Sequence, residues 1–248
     1  MQSTFEGKTV VVTGGTQGIG GAVTSLFLEG GAKVCALFHK DESAAKKLRE
    51  SAGVHQDRLL TLRVDVSNYQ AVSSAFDMLR ARWGHASILV NNAGVHCPVA
   101  AFELQDNQTW IDVFSANVFG AVFATKAAIT PMKKARWGRI INIASIAATE
   151  GLLNGSPYAA SKASLLGLTR SLAKEVAPYS ITVNALLPGM TETRMAHAVP
   201  REVYNRILST IPIGRAATSK EVAALIAFLA SDAASYISGS LINVSGGR

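Results

Sequence analysis

The chain has 248 residues, 48% hydrophobic and 17% charged, so it holds ample apolar material for a buried core and lies far from disordered compositions. Its formal charge of +7 comes from lysines and arginines spread along the chain, which argues against a nucleic-acid-binding arm and fits a phosphate-bearing or acidic partner, or simple solubility. Cys35 and Cys97 are too widely spaced for a disulfide framework or a CxxC metal pair, the N-terminal MQSTFEGKTV lacks the order of a secretory signal, and no window of about eighteen residues is wholly apolar and uncharged. The expectations are no metal, no membrane and a cytoplasmic location.

No stretch has a linker's composition and no repeat period occurs, so residues 1–248 are read as one domain. In chain order, short β-branched apolar runs at 8–13, 33–38, 59–64, 88–91, 139–144, 181–187 and 240–244 read as strands. Segments of helical period at 18–30, 69–83, 114–134, 157–177 and 219–231 lie between them. Strands alternating with helices predict an α/β fold, a doubly wound parallel sheet of about seven strands with helices on both faces. Ligands of such sheets bind beyond the carboxyl ends of the strands, so the residues that follow each run carry the functional reading.

The first run leads into Thr13-Gly14-Gly15-Thr16-Gln17-Gly18-Ile19-Gly20 and then a helix. In that context Gly14 permits a tight turn, Gly18 lets the backbone approach a pyrophosphate, and Gly20 lets helix and strand pack closely, with the loop N–H groups of Thr16, Gln17 and Ile19 near the phosphates. The second run ends without the acid that would bond the ribose of NAD; His39 and Lys40 stand there instead, favouring NADP(H) over NAD(H), with Asp41 as a neighbouring countercharge. After the third run, Asp65-Val66 offers either a carboxylate for an adenine amino group or a turn resembling a helix cap. Asn91-Asn92-Ala93-Gly94 follows the fourth run and combines small residues with amides that can bridge strands. The fifth ends at Ser145, and Tyr158 and Lys162 then share one face of an apolar helix, where an ammonium would favour the phenolate and lower the tyrosine pKa.

Together with Asn117 and Pro188-Gly189, these motifs in this order and spacing resemble the short-chain dehydrogenase/reductase family over essentially the whole chain. The resemblance implies an NAD(P)-dependent oxidoreductase interconverting a ketone and a secondary alcohol. Ser145 would polarise the carbonyl, Tyr158 would donate the proton, Lys162 would hold the nicotinamide ribose and lower the tyrosine pKa, and Asn117 would position a relay water. It also implies a substrate lid over 190–212, with Thr191 and Thr193 near the cofactor, and a homotetramer built on helices 114–134 and 157–177.

Within the family, Phe5-Glu6-Gly7-Lys8, Ile181-Thr182-Val183-Asn184, the segment from Ile211 to Arg215 and that from Phe228 to Asp232 are similar to the bacterial 3-oxoacyl-(acyl-carrier-protein) reductases. That implies NADPH-dependent reduction of a 3-oxoacyl thioester, with Arg136 and Lys174 matching carrier-docking cations in type. The chain departs from this group at Gln17, at Gly155-Ser156-Pro157, at Val95-His96-Cys97-Pro98 and in ending at Gly246-Gly247-Arg248. Another alcohol, sugar, steroid or cyclic ketone is the competing substrate class; a non-catalytic nucleotide-binding regulator and a structural subunit are the competing functions. His96, near the expected substrate mouth, is either a substrate contact or a solvated loop residue.

Overall fold

The computed structural model describes residues 4–248. In chain order they form β1 (Thr9–Thr13), α1 (Gly18–Glu29), β2 (Lys33–Phe38), α2 (Glu42–Ser51), β3 (Leu59–Arg63), α3 (Tyr69–Trp83), β4 (Ile88–Asn91) and α4 (Asn107–Phe114). A π-helical turn (Ser115–Phe119) joins α4 to α5 (Gly120–Ala135), followed by β5 (Gly138–Ile143), α6 (Ala147–Glu150), α7 (Ser156–Val176) and β6 (Ile181–Pro188). The chain closes with α8 (Arg194–His197), α9 (Arg201–Leu208), α10 (Ser219–Ala230) and β7 (Leu241–Val244).

All strand pairs are parallel, in the order β3-β2-β1-β4-β5-β6-β7. Successive side chains point to opposite faces, and the apolar runs serve both. Val10 and Val12 of β1 join Val23 and Phe27 of α1 and Ile226 of α10 on one side. Val11, between them, joins Val72 and Leu79 of α3, Met132 of α5 and Val176 of α7 on the other. Both faces are therefore covered, as the run of unbroken apolar strands predicts. The strand order reverses between β1 and β4, which opens a crevice at their carboxyl ends, where Thr13 and Asn91 lie.

Buried polar side chains tie the layers together beneath that crevice. Asn91 Nδ2 donates to Asn142 Oδ1 at 2.8 Å and to Thr125 Oγ1 at 3.1 Å, and Asn142 Nδ2 donates to Thr169 Oγ1 at 2.8 Å. This links β4, β5, α5 and α7 where the site is built.

The structure departs from the sequence reading in its helices, the short α6, α8 and α9 included. Helix α2 is absent from it because only Ala45 and Leu48 are buried along its length, too few to impose a helical period on the sequence. The helix expected from residue 114 instead begins at Asn107, and the continuous stretch Asn107–Ala135 is, by length and composition, long and apolar enough to cross a membrane. Ala124, Ala128 and Met132 on its inner side pack under the sheet, while Ile111 and Phe119 are exposed.

Candidate active site

The glycine loop is shaped by contacts that leave no room for side chains. Gly14 and Gly18 adopt left-handed backbone, with φ of 61° and 53°. A Cβ on Gly20 would lie 2.1 Å from the Gly14 carbonyl oxygen and 2.6 Å from Asn92 Nδ2. Thr13, whose hydroxyl the sequence reading left unused, locks the loop to the next turn: its Oγ1 accepts from the backbone N–H groups of Asn92 at 3.0 Å and Ala93 at 2.9 Å. Asn92 Nδ2 returns the contact to the carbonyls of Thr13 and Gly14, both at 3.0 Å.

Beyond the loop lies a cleft of about 260 Å³ lined by Gly14, Thr16, Gln17, His39, Lys40, Asp65, Val66, Ala93 and Gly94, together with Arg194 of α8. Nine of the residues singled out for the cofactor thus line one cleft, while Gly18, Ile19, Gly20 and Asn92 are outside its lining. Gly20 shapes the loop from behind, and Gly14 and Gly18 are the cradle that a Cβ would crowd. These residues fit a dinucleotide.

Asp65 adopts the turn reading with one oxygen, which accepts from the Ser67 N–H at 3.0 Å and the Ser67 hydroxyl at 2.7 Å; the other faces His39 Nε2 at 3.6 Å. Asp41 is doubly engaged: it caps α2 by accepting from the Ala44 N–H at 2.9 Å and pairs with Arg194 at 2.5 Å. Arg194, which no sequence motif marked, brings a further basic side chain to the cleft beside His39 and Lys40.

The other end of the cleft is built by the π-turn. Asn117, buried there, accepts from the Val95 N–H at 2.7 Å and donates to the Val95 carbonyl at 3.0 Å and to Ser161 Oγ at 2.9 Å. Ser161, a second residue without a sequence signal, donates in turn to the Tyr158 carbonyl at 2.7 Å. Both amide hydrogens of Asn117 are therefore spent on protein, so its side chain acts first as a clamp between the 94–97 loop and α7; the π-turn that places it is a helical irregularity often found at functional sites.

Lys162 is buried and donates to the Ile143 carbonyl at 2.8 Å, and a Cβ on Gly94 would meet both Lys162 Nζ and Asn117 Oδ1 at 3.2 Å. Burial lowers the Lys162 pKa to about 8. Burial pushes the Tyr158 phenol up, a hydrogen bond with Ser145 pulls it back, and Cys97 adds a smaller upward push, leaving it above its ordinary value. The expected lowering of that pKa by Lys162 is not what the polypeptide's own groups produce. The ammonium sits 5.8 Å from the ring centroid, with its bond committed to Ile143, and desolvation of the phenol outweighs it. On the outer side, the His96 ring stacks on Tyr158 with centroids 4.6 Å apart and planes 25° from parallel.

The segment 190–212 contains α8 and α9, and Arg194 of α8 lines the cleft. Thr193 caps α8 and lies against the loop, where a Cβ on Gly18 would meet its methyl at 3.2 Å. Thr191 is buried and hydrogen-bonds the Gly189 carbonyl at 3.2 Å, while Pro188 ends β6 and its carbonyl accepts from the Ile146 N–H at 3.1 Å. Arg136 and Lys174 are not brought to the site. They follow or end α5 and α7 at the amino ends of β5 and β6, and Arg136 donates to the Pro178 carbonyl at 2.8 Å.

Residues 14–248 match a family described as enoyl-(acyl carrier protein) reductase. The chain is 38% identical, over 98% of both chains, to the 3-oxoacyl-[acyl-carrier-protein] reductase of Salmonella typhimurium. It is 37% identical, again over 98% of both, to that of Escherichia coli. To the acetoacetyl-CoA reductase of Rhizobium meliloti it is 38% identical, over 97% of this chain and 98% of that protein. With a parallel doubly wound sheet, a glycine loop at its switch point and a serine, tyrosine and lysine set gathered behind Gly94, the chain belongs to the short-chain dehydrogenase/reductase family of nicotinamide-dependent oxidoreductases.

Proposed function

We propose that this protein is an NADPH-dependent reductase of 3-oxoacyl thioesters, converting the 3-ketone to a secondary alcohol. One observation carries the reading: the Ser145 hydroxyl stands near enough to the Tyr158 phenol to pull its pKa down, so two hydroxyl groups converge where one carbonyl oxygen can sit. A phenol held above its ordinary pKa keeps its proton at neutral pH and can deliver it to that oxygen as charge develops. Ser145 stabilises the same oxygen by hydrogen bonding, and Lys162 offers an ammonium beside Gly94 for a ribose hydroxyl. A bound nicotinamide supplies the hydride. Two donors on one oxygen suit carbonyl reduction; saturation of a carbon–carbon double bond, which the matched family's description names, puts its proton on carbon. The printed activities of the relatives support a thioester substrate, on coenzyme A or on a carrier protein.

The preference for NADPH rests on His39, Lys40 and Arg194 along one wall, with the Asp41 carboxylate engaged by the α2 N-terminus and by Arg194. The remaining site residues keep their roles in this proposal: the glycine loop and Asn92-Ala93-Gly94 hold the dinucleotide, Asp65 and Val66 flank its adenine, and Pro188, Gly189, Thr191 and Thr193 border its nicotinamide half under a lid spanning 190–212. We propose further that the enzyme works in the cytoplasm as a homotetramer, without nucleic acid or membrane. No carrier contact through Arg136 and Lys174 is proposed.

The test is the rate at which purified protein oxidises NADPH, and separately NADH, with an acetoacetyl thioester. Turnover with NADPH at the higher kcat/KM is expected. Tyr158→Phe keeps the ring and loses the proton, so NADPH affinity stays within about twofold while turnover falls by about 10²-fold or more. Silence of the parent with both cofactors, despite measurable cofactor binding, overturns the substrate class; retained turnover in the variant overturns the donor.

A further inference from the structure

His96 lies against Tyr158, and no step above uses it. Its position is set on both sides: Val95 is clamped by the two hydrogen bonds with Asn117, and Cys97 is buried. Between these anchors the imidazole is laid on the face of Tyr158 at 4.6 Å, while the residue itself remains exposed to solvent. Its Nδ1 is 2.7 Å from the Cys97 carbonyl oxygen. A carbonyl oxygen can only accept, so Nδ1 carries the hydrogen, and in the neutral ring Nε2 is left with a free lone pair.

We propose that His96 is a substrate-binding residue whose Nε2 accepts a hydrogen bond from the amide N–H of the pantetheine-type arm of the thioester. This rests on the 3-oxoacyl thioester reading. A 3-oxoacyl thioester carries only acceptors at its ketone, its thioester carbonyl and its sulfur. The nearest donor it owns is the amide N–H a few bonds beyond the sulfur, within reach of a ring that touches the reacting phenol. An acceptor fixed beside Tyr158 therefore distinguishes arms with this N–H from arms without it, and orients the ketone by holding the chain from the thiol side. The same chemistry serves coenzyme A and carrier-protein substrates, because both present this arm.

The experiment crosses two changes in the full-length protein. The substrates are the acetoacetyl thioester of N-acetylcysteamine and its N-methyl counterpart, which keeps the ketone and thioester and carries a methyl group in place of the amide hydrogen. The proteins are the parent and His96→Phe, which keeps a flat ring for the stack and removes the acceptor. In the parent, kcat/KM is expected to fall about five- to tenfold on N-methylation, chiefly through KM, as for loss of one net hydrogen bond. In His96→Phe the two substrates are expected to react equally, at the parent's rate with the N-methyl compound.

A variant that slows both substrates alike makes the ring a mere support for Tyr158 and overturns the proposal. So does a parent indifferent to N-methylation, a result that needs no variant. A parent that turns over neither thioester overturns the substrate reading itself, and this role with it, whereas turnover without discrimination overturns the role of His96 alone.

Discussion

At the scale of single residues, Lys162 shows what the site costs. Its ammonium is buried, and burial brings its pKa from the ordinary 10.5 down to about 8. Below about 8 the folded and unfolded chains both hold this proton, so the folded state bears the whole cost of the buried cation. Between about 8 and 10.5 the folded chain has released the proton and the unfolded chain still binds it, so this group makes stability rise with pH across that window. Lys162→Met is expected to abolish turnover, to raise stability at pH 7 by about 1–3 kcal/mol, and to remove that rise, read from thermal midpoints across the pH range. A variant less stable than the parent at pH 7 would show that the bond from Nζ to the Ile143 carbonyl outweighs the desolvation. Tyr158 and Lys162 were legible as a pair from their spacing, but the direction of the tyrosine shift was not. Spacing reports which groups are neighbours, whereas burial, which dominates here, depends on what the rest of the chain lays over them.

At the scale of elements, the β1–α1 turn is the part that tolerates least. Its glycines were readable from sequence because a strand running directly into a helix demands them, and the distances give the reason for Gly20 in particular: a methyl there would overlap a backbone carbonyl of the same loop. Gly20→Ala is expected to destabilise the protein by about 3 kcal/mol and to abolish NADPH binding, measured by denaturant unfolding and by fluorescence titration. An alanine variant that still bound NADPH normally would show that α1 can move away from the loop without cost. The π-turn between α4 and α5 had no counterpart in the sequence reading. Length and composition mark Asn107–Ala135 as one apolar helix, whereas the turn is where Asn117 reaches Val95 and Ser161 at once.

At the scale of the whole molecule, large apolar side chains are left open: Tyr69 at the start of α3, Phe102 before α4, Ile111 on α4, Phe119 in the π-turn, Phe228 on α10 and Tyr236 between α10 and β7 are all exposed. Two separate self-complementary faces are what a tetramer of dihedral symmetry requires. Native mass measurement is expected to give four copies of the 26.1 kDa chain, and a combined Ile111→Lys and Phe119→Lys variant is expected to give a smaller assembly. A parent that runs as a monomer at micromolar concentration overturns the tetramer.

The sequence by itself determined the layer architecture and the motif-bearing ends of the strands, because unbroken apolar runs alternating with helical segments have essentially one way to bury both faces of a sheet. It also marked the residues whose type the chemistry demands, the glycine loop and the serine, tyrosine and lysine. Only the tertiary structure brought in Arg194, Ser161, Thr13 and His96. Each is an ordinary residue in an ordinary local context, and becomes part of the site because segments distant in sequence meet: Arg194 with Asp41, Ser161 with Asn117, Thr13 with Asn92, His96 with Tyr158. Local pattern records what a segment must do for itself, and contacts made across the sheet switch point leave no periodicity from which to read them.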